Sequence, residues 1–139
     1  MSVVKKFSEI MIGDKIPIVT KKITQEKIDI YAEASGDFNP IHIDEEFARQ
    51  TPFKGTIAHG LLTLAYISEM MVQWSGKKWF TGGELKLTFL SPVRPGDTIV
   101  TGGEVKEKNK EEKQVLLEVS SANQEGKVVA AGNVTVSYE

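Results

Sequence analysis

Two side chains five residues apart, the carboxylate of Asp37 and the imidazole of His42, bracket the turn Asp37-Phe38-Asn39-Pro40-Ile41-His42. Pro40 stiffens the backbone between them, so the two side chains can converge on one small volume. A carboxylate and a neutral imidazole held around one water can orient it, take its proton and return a proton elsewhere, because histidine titrates near neutral pH. That is the minimum set for adding water to a double bond or removing it. Taken alone, the pair fits a plainer reading better: Asp37 bonded to nearby backbone N–H groups in an Asx-turn, and His42 a satisfied or surface histidine.

A second segment, Ala58-His59-Gly60-Leu61, opens a long apolar stretch. Glycine there lets a ligand approach the backbone closely, and the N–H groups of a first helical turn carry partial positive charge. An oxygen that gains negative charge during a reaction could rest there, and each well-aimed donor lowers such a barrier by about 3 kcal/mol. A lone glycine more often serves only tight packing at a helix start. His42 and His59 are the 2 histidines of the chain, and neither their spacing nor their placement makes a recognisable ligand set, so no metal is expected. The absence of cysteine excludes disulfides, thiolate nucleophiles and thiolate metal sites.

The elements that must hold these residues can be read from spacing. Residues 16–19 are β-prone but contain Pro17, which suits an edge strand. Thr24 caps a helix in which Ile28, Tyr31 and Ala32 recur at helical spacing, and Ser35-Gly36 ends it. Asp44, followed by Glu45 and Glu46, caps a short helix through Phe47 to Arg49, and Pro52 and Gly55 close it. Residues 58–74 are apolar around most of a helix's circumference, so that helix belongs inside the protein, with Gly76 as its stop. Leu85, Leu87 and Phe89 then alternate with Lys86 and Thr88, the period of a strand. Further strands are expected over 98–105, 115–119 and 128–136, separated by Arg94-Pro95-Gly96-Asp97, the polar run 106–113, and 123–126. The expected architecture is α+β: an antiparallel meander curling around a long buried helix.

Length and composition are consistent with this. The 139 residues suit one compact domain, and 40% hydrophobic with 26% charged residues is ordinary for a globular protein. A net charge of -2 without a long basic block argues against nucleic acid as a partner. Residues 1–15 lack a signal-peptide core, and no run approaches the roughly 20 apolar residues that span a bilayer. The expectation is a soluble cytoplasmic protein with no membrane partner.

Three blocks in order, Asp37-Phe38-Asn39-Pro40-Ile41-His42, Ile57-Ala58-His59-Gly60-Leu61 and Phe89-Leu90-Ser91-Pro92-Val93-Arg94-Pro95-Gly96-Asp97, together resemble the MaoC-like family of (R)-specific enoyl-CoA hydratases and hydroxyacyl-thioester dehydratases. The similarity runs from about Tyr31 through the last strand. It implies a hotdog fold, in which a sheet wraps a long helix, as one domain over residues 1–139. It also implies a homodimer or higher homo-oligomer with the substrate tunnel near the subunit interface. By resemblance Asp37 and His42 match the catalytic pair and Gly60 the glycine whose N–H holds the thioester carbonyl. Asn39 matches an asparagine that supports the turn or the water, and Ser68 a position that is polar in some members.

The implied activity is that of a hydro-lyase. It would be reversible syn hydration of trans-2-enoyl thioesters to (R)-3-hydroxyacyl thioesters, with Asp37 and His42 acting on one water, His42 chiefly as base. No cofactor is expected beyond the coenzyme A or acyl carrier protein that forms part of the substrate. Lys77, Lys78 and Arg94 are candidates for its phosphates, and Leu62, Tyr66, Met70 or Trp74 for the end of the acyl tunnel. Two other readings are a hotdog thioesterase, in which Glu69 on the long helix would activate water at the carbonyl, and a non-catalytic acyl-thioester binding module.

Overall fold

The computed structural model describes residues 4–139, so the first three residues of the N-terminal stretch read above lie outside it. After a 3-10 turn at Phe7–Glu9 the chain forms β1 (Lys15–Lys22), α1 (Gln25–Ser35), α2 (Pro40–Ile43), α3 (Glu45–Arg49), α4 (Gly60–Ser75), α5 (Lys77–Gly82), β2 (Gly83–Phe89), β3 (Thr98–Asn109), β4 (Gln114–Ala122) and β5 (Val128–Ser137). The strands make a five-stranded sheet in the order β1-β3-β4-β5-β2, with every pairing antiparallel. β1, which carries Pro17, is an edge strand, because proline has no N–H to give a second neighbour.

The helix boundaries follow their caps. Thr24 Oγ1 accepts the Lys27 N–H at 3.1 Å, and the opposite end of α1 closes on Gly36 with φ +79°, a conformation glycine takes without penalty. Asp44 Oδ1 accepts the Phe47 N–H at 3.1 Å to start α3. α4 lies across the sheet on β1, β3 and β4. Ile67, Met70 and Met71 are fully buried there with Val105, Val115, Leu117, Val134 and Val136. Each such side chain contributes about 1.5–3 kcal/mol on removal from water. A second cluster, of Ile23, Ile28, Ala58, Leu62, Val93, Ile99 and Val129, fastens α1 and the start of α4 to the other end of the sheet. Register shifts at Ile16/Val19, Val105/Glu107 and Ser121/Ala122 interrupt the ladders where the sheet curls about α4. This is the hotdog arrangement.

Four details differ from the expectations. α4 begins at Gly60 rather than near Ala58, because Ala58 donates its N–H to the Val93 carbonyl at 2.7 Å. The short helix α5 follows Gly76; its six residues are too few for a periodic signal. Only β3, β4 and β5 form a meander, since β2 lies at the far edge beside β5. Finally, β3 runs on to Asn109 through the charged residues read as a loop, because pairing with Val115 and Leu116 outweighs the low strand preference of Lys and Glu.

Candidate active site

The segment between α1 and α4 folds into two short helices, with α2 packed against both α1 and α3. Asn39 caps α2, its Oδ1 accepting the Ile41 N–H at 3.1 Å, and Pro40 occupies the first helical position, where a missing N–H costs nothing. One turn of helix therefore separates Asp37 from His42, rather than an open loop. Asp37 Oδ1 accepts the Asn39 N–H at 3.2 Å, as in the Asx-turn reading, which leaves Oδ2 to face His42. The Asx-turn therefore occupies one carboxylate oxygen and leaves the other beside the imidazole.

His42 Nδ1 lies 2.7 Å from the main-chain carbonyl of Ile57. A carbonyl only accepts, so Nδ1 carries the proton and neutral His42 presents the bare lone pair of Nε2. That Nε2 is 4.0 Å from Asp37 Oδ2. The separation is too long for a direct hydrogen bond. It matches a single bridging water, because two bonds of about 2.8 Å meeting at roughly 90–105° span about 4.0–4.5 Å. Such a water would donate one hydrogen to each partner and turn its oxygen lone pairs outward.

The His42 backbone is itself held. Gln25 Nε2 donates to the His42 carbonyl at 2.8 Å and also to Asp29 Oδ1 at 2.8 Å, while its Oε1 accepts from the buried Thr56 hydroxyl at 2.7 Å. Ile57 N–H donates to the Ile41 carbonyl at 3.2 Å.

Beside His42 is a cavity of about 360 Å³ whose walls include Phe53, Gly60, Thr63, Phe89 and Val93. Gly60 is the first residue of α4, and no side chain caps that first turn. A Cβ on Gly60 would fall 3.0 Å from the Phe89 ring, so the packing role of this glycine is real on one side while its N–H belongs to an uncapped helix start. Ser68 lies elsewhere: its Oγ accepts from the Trp79 indole at 2.8 Å and joins α4 to α5. Glu69 pairs with Lys21 at 3.1 Å, and Lys78 reaches the carbonyls of Tyr138 and Glu139 at 3.4 and 3.2 Å. A larger hollow of about 770 Å³ sits on the outer face of the sheet around Gly102, Ser120 and Gly132; its carboxylates, Glu104 and Glu118, are paired with Lys106.

His59 is the residue of this region to which sequence reasoning attached no chemistry. It is buried, its ring stacks on His42 with centroids 3.8 Å apart, and its Nε2 lies 3.0 Å from the Asp37 carbonyl oxygen. Its place beside Gly60 was visible, but its burial was not. Asp37, His42 and His59 bring ligand-type atoms within 4.8 Å of one another. Stacked rings at 26° direct their nitrogen lone pairs along nearly parallel planes rather than to one point, a poor match to the tetrahedral geometry of zinc.

Residues 8–133 match the family model described as a MaoC like domain. The chain is 34% identical over 134 residues to an (R)-specific enoyl-CoA hydratase of Rhodospirillum rubrum, covering 94% of this chain and 89% of that protein. Against a 3-hydroxybutyryl-CoA dehydratase of Methylorubrum extorquens it is 37% identical over 103 residues, covering 72% of this chain and 64% of the relative. Among solved structures it resembles an unliganded R-hydratase from Pseudomonas aeruginosa, with TM-score 0.82, 32% identity, and 94% and 83% of the two chains covered. An (R)-hydratase from A. caviae involved in PHA biosynthesis superposes with TM-score 0.81 at 26% identity, covering 92% and 96%.

Proposed function

The chain belongs to the MaoC-like domain family, and from that premise we propose that it is a hydro-lyase interconverting trans-2-enoyl and (R)-3-hydroxyacyl thioesters, with Asp37 and His42 as its catalytic pair. The observation that carries this reading is the 4.0 Å gap between Asp37 Oδ2 and His42 Nε2, with Nδ1 spent on the Ile57 carbonyl. The thioester carbonyl rests on the Gly60 N–H, and the acyl chain enters the cavity beside His42. Water bridges the pair over one face of the double bond.

His42 Nε2 takes one proton as the water oxygen bonds to the β-carbon, and the electron pair of the double bond moves onto the thioester to give an enolate. Donors at the start of α4 stabilise the enolate oxygen as its charge grows. Asp37 holds the second water hydrogen and offsets the charge on the imidazolium. The Nε2 proton then passes to the α-carbon. Both additions come from the same side, so the overall reaction is syn, and reversal gives dehydration.

Asp37 is half exposed, and apolar surface is presented to solvent by Phe38 next to it in the chain, by Leu61 next to Gly60, and by Phe89 and Leu90 on the wall of the cavity beside His42. A second copy covering these residues would dry the site and complete the substrate tunnel. The functional unit proposed is therefore a homodimer, acting on coenzyme A or carrier-protein thioesters without a further cofactor.

The test is loss of the conjugated enoyl absorbance when the protein meets crotonyl-CoA, with product stereochemistry determined. An (R)-3-hydroxy product supports the reading. Release of free coenzyme A would replace it with thioester hydrolysis, and inertness toward crotonyl, longer-chain and carrier-protein substrates would leave an acyl-thioester binding module.

A further inference from the structure

His59 has no part in the steps above, yet it is 3% exposed and touches both members of the pair. Its Nε2 faces the Asp37 carbonyl at 3.0 Å and must donate, which makes Nδ1 the bare nitrogen. Among the described residues, that buried Nδ1 finds no hydrogen-bond partner. A buried polar atom left unpaired costs stability, and the neighbouring Tyr31 ring, 4.8 Å away, offers it nothing. Phenylalanine or leucine would fill the same space without that cost. As N-cap of α4, His59 also gives no side-chain bond to the helix it begins. Neither packing nor capping explains an imidazole here; its one polar contact is with the backbone of Asp37.

We propose that His59 is a positioning residue of the hydration site: its Nε2–H anchors the Asp37 main-chain carbonyl while its ring backs His42, so that carboxylate and imidazole keep the separation one water requires. The two stacked imidazoles then hold opposite tautomers, Nε2–H on His59 and Nδ1–H on His42. This rests on the hydratase reading for its catalytic consequence, but the tautomers stand apart from it.

The experiment has two arms. Long-range 1H–15N NMR of the free wild-type protein should show His59 protonated at Nε2 and His42 at Nδ1; His59 protonated at Nδ1 overturns the proposal whatever the enzyme does. In the second arm, His59→Phe keeps the stack and removes the donor, whereas His59→Gln places an amide N–H where Nε2 was. With crotonyl-CoA, H59F should lose about 10- to 100-fold in kcat, the scale of a misplacement of about 1 Å, with KM within about twofold. Its Tm should be unchanged or higher, because the unpaired nitrogen is gone. H59Q should recover most of the kcat. H59F turning over like wild type, or H59Q as slow as H59F, overturns the proposal. Wild type that hydrates no enoyl thioester would count against the hydratase reading alone, since the tautomer arm still decides the role of His59.

Discussion

Around His42 the chain is held by directional bonds: Gln25 on its carbonyl, the Ile57 carbonyl on its ring, and Thr56 on Gln25, each at 2.7 or 2.8 Å. Met70, on α4, belongs instead to an apolar cluster in which Ile67, Met71, Val105, Val115, Leu117 and Val134 are all fully buried. The first region orients its groups through directional bonds on short helices that bury little apolar surface. The second supplies the apolar burial that a folded chain needs and specifies no chemistry. A hydrogen bond contributes only about 0.5–1.5 kcal/mol net to stability, so the polar segment can be precise only because the core beneath it is rigid. Activity and stability should therefore respond separately to changes in the two regions.

The largest separation is expected at the pair itself. Asp37→Asn or His42→Ala should lower kcat by about 10²- to 10⁴-fold, the contribution of a positioned acid-base group. Asp37 is half exposed, so thermal melting of Asp37→Asn should stay within about 2 °C of wild type, whereas His42→Ala also removes a ring bonded to Ile57 and stacked on His59 and should melt lower. A variant that keeps near-normal turnover would remove Asp37 or His42 from the mechanism. Leu117→Ala, in the same cluster as Met70, is the mirror case. It should cost about 2–5 kcal/mol in chemical denaturation and leave kcat per folded molecule unchanged at 25 °C. A marked kcat loss in that variant would mean that the core sets the site's geometry more tightly than the polar network does.

Gly60→Ala probes the boundary between the regions. Its Cβ would meet the Phe89 ring at 3.0 Å, and on the proposed mechanism it would also intrude on the thioester. We expect kcat/KM to fall about 10- to 100-fold, less than the roughly 10²- to 10³-fold loss when an oxyanion donor is removed outright, because alanine keeps the N–H. Adding Phe89→Leu should recover stability without activity; recovery of both would reduce Gly60 to a packing residue.

The smallest effect is expected at Tyr138, far from the site. Burial raises its phenol to about 12, and its hydroxyl has no hydrogen-bond partner. The folded pKa is above the unfolded value near 10, so the neutral phenol's contribution is fully present below about pH 10 and is lost as pH rises toward 12. Tyr138→Phe should flatten that alkaline decline in denaturation curves, with neutral-pH stability unchanged or slightly higher and turnover untouched. An unchanged alkaline profile would refute the buried-phenol account.

The caps at Thr24 and Asp44 and the stop at Gly36 could be read directly from the chain, because each depends on a side chain and backbone groups within four residues. The buried character of α4 and the period-two alternation in β2 were equally local. So was the pairing of Asp37 with His42, which the MaoC-like motif made specific. Strand order was different: β2 lies beside β5 across about 40 intervening residues, a choice made by burial of Leu85 and Leu87 against the core and carried by no local pattern. α5 was hidden because one and a half turns show no period.

In the site, the sequence by itself brought Asp37 and His42 together across one turn and placed Gly60 near the start of a buried helix. Only the tertiary structure decided which nitrogen of His42 is bare, because that depends on the Ile57 carbonyl, 15 positions away. It alone put His59 beneath His42 with one nitrogen bonded and one unpaired. Tautomer and burial are set by partners that the fold brings from distant positions, and spacing along the chain carries no record of them.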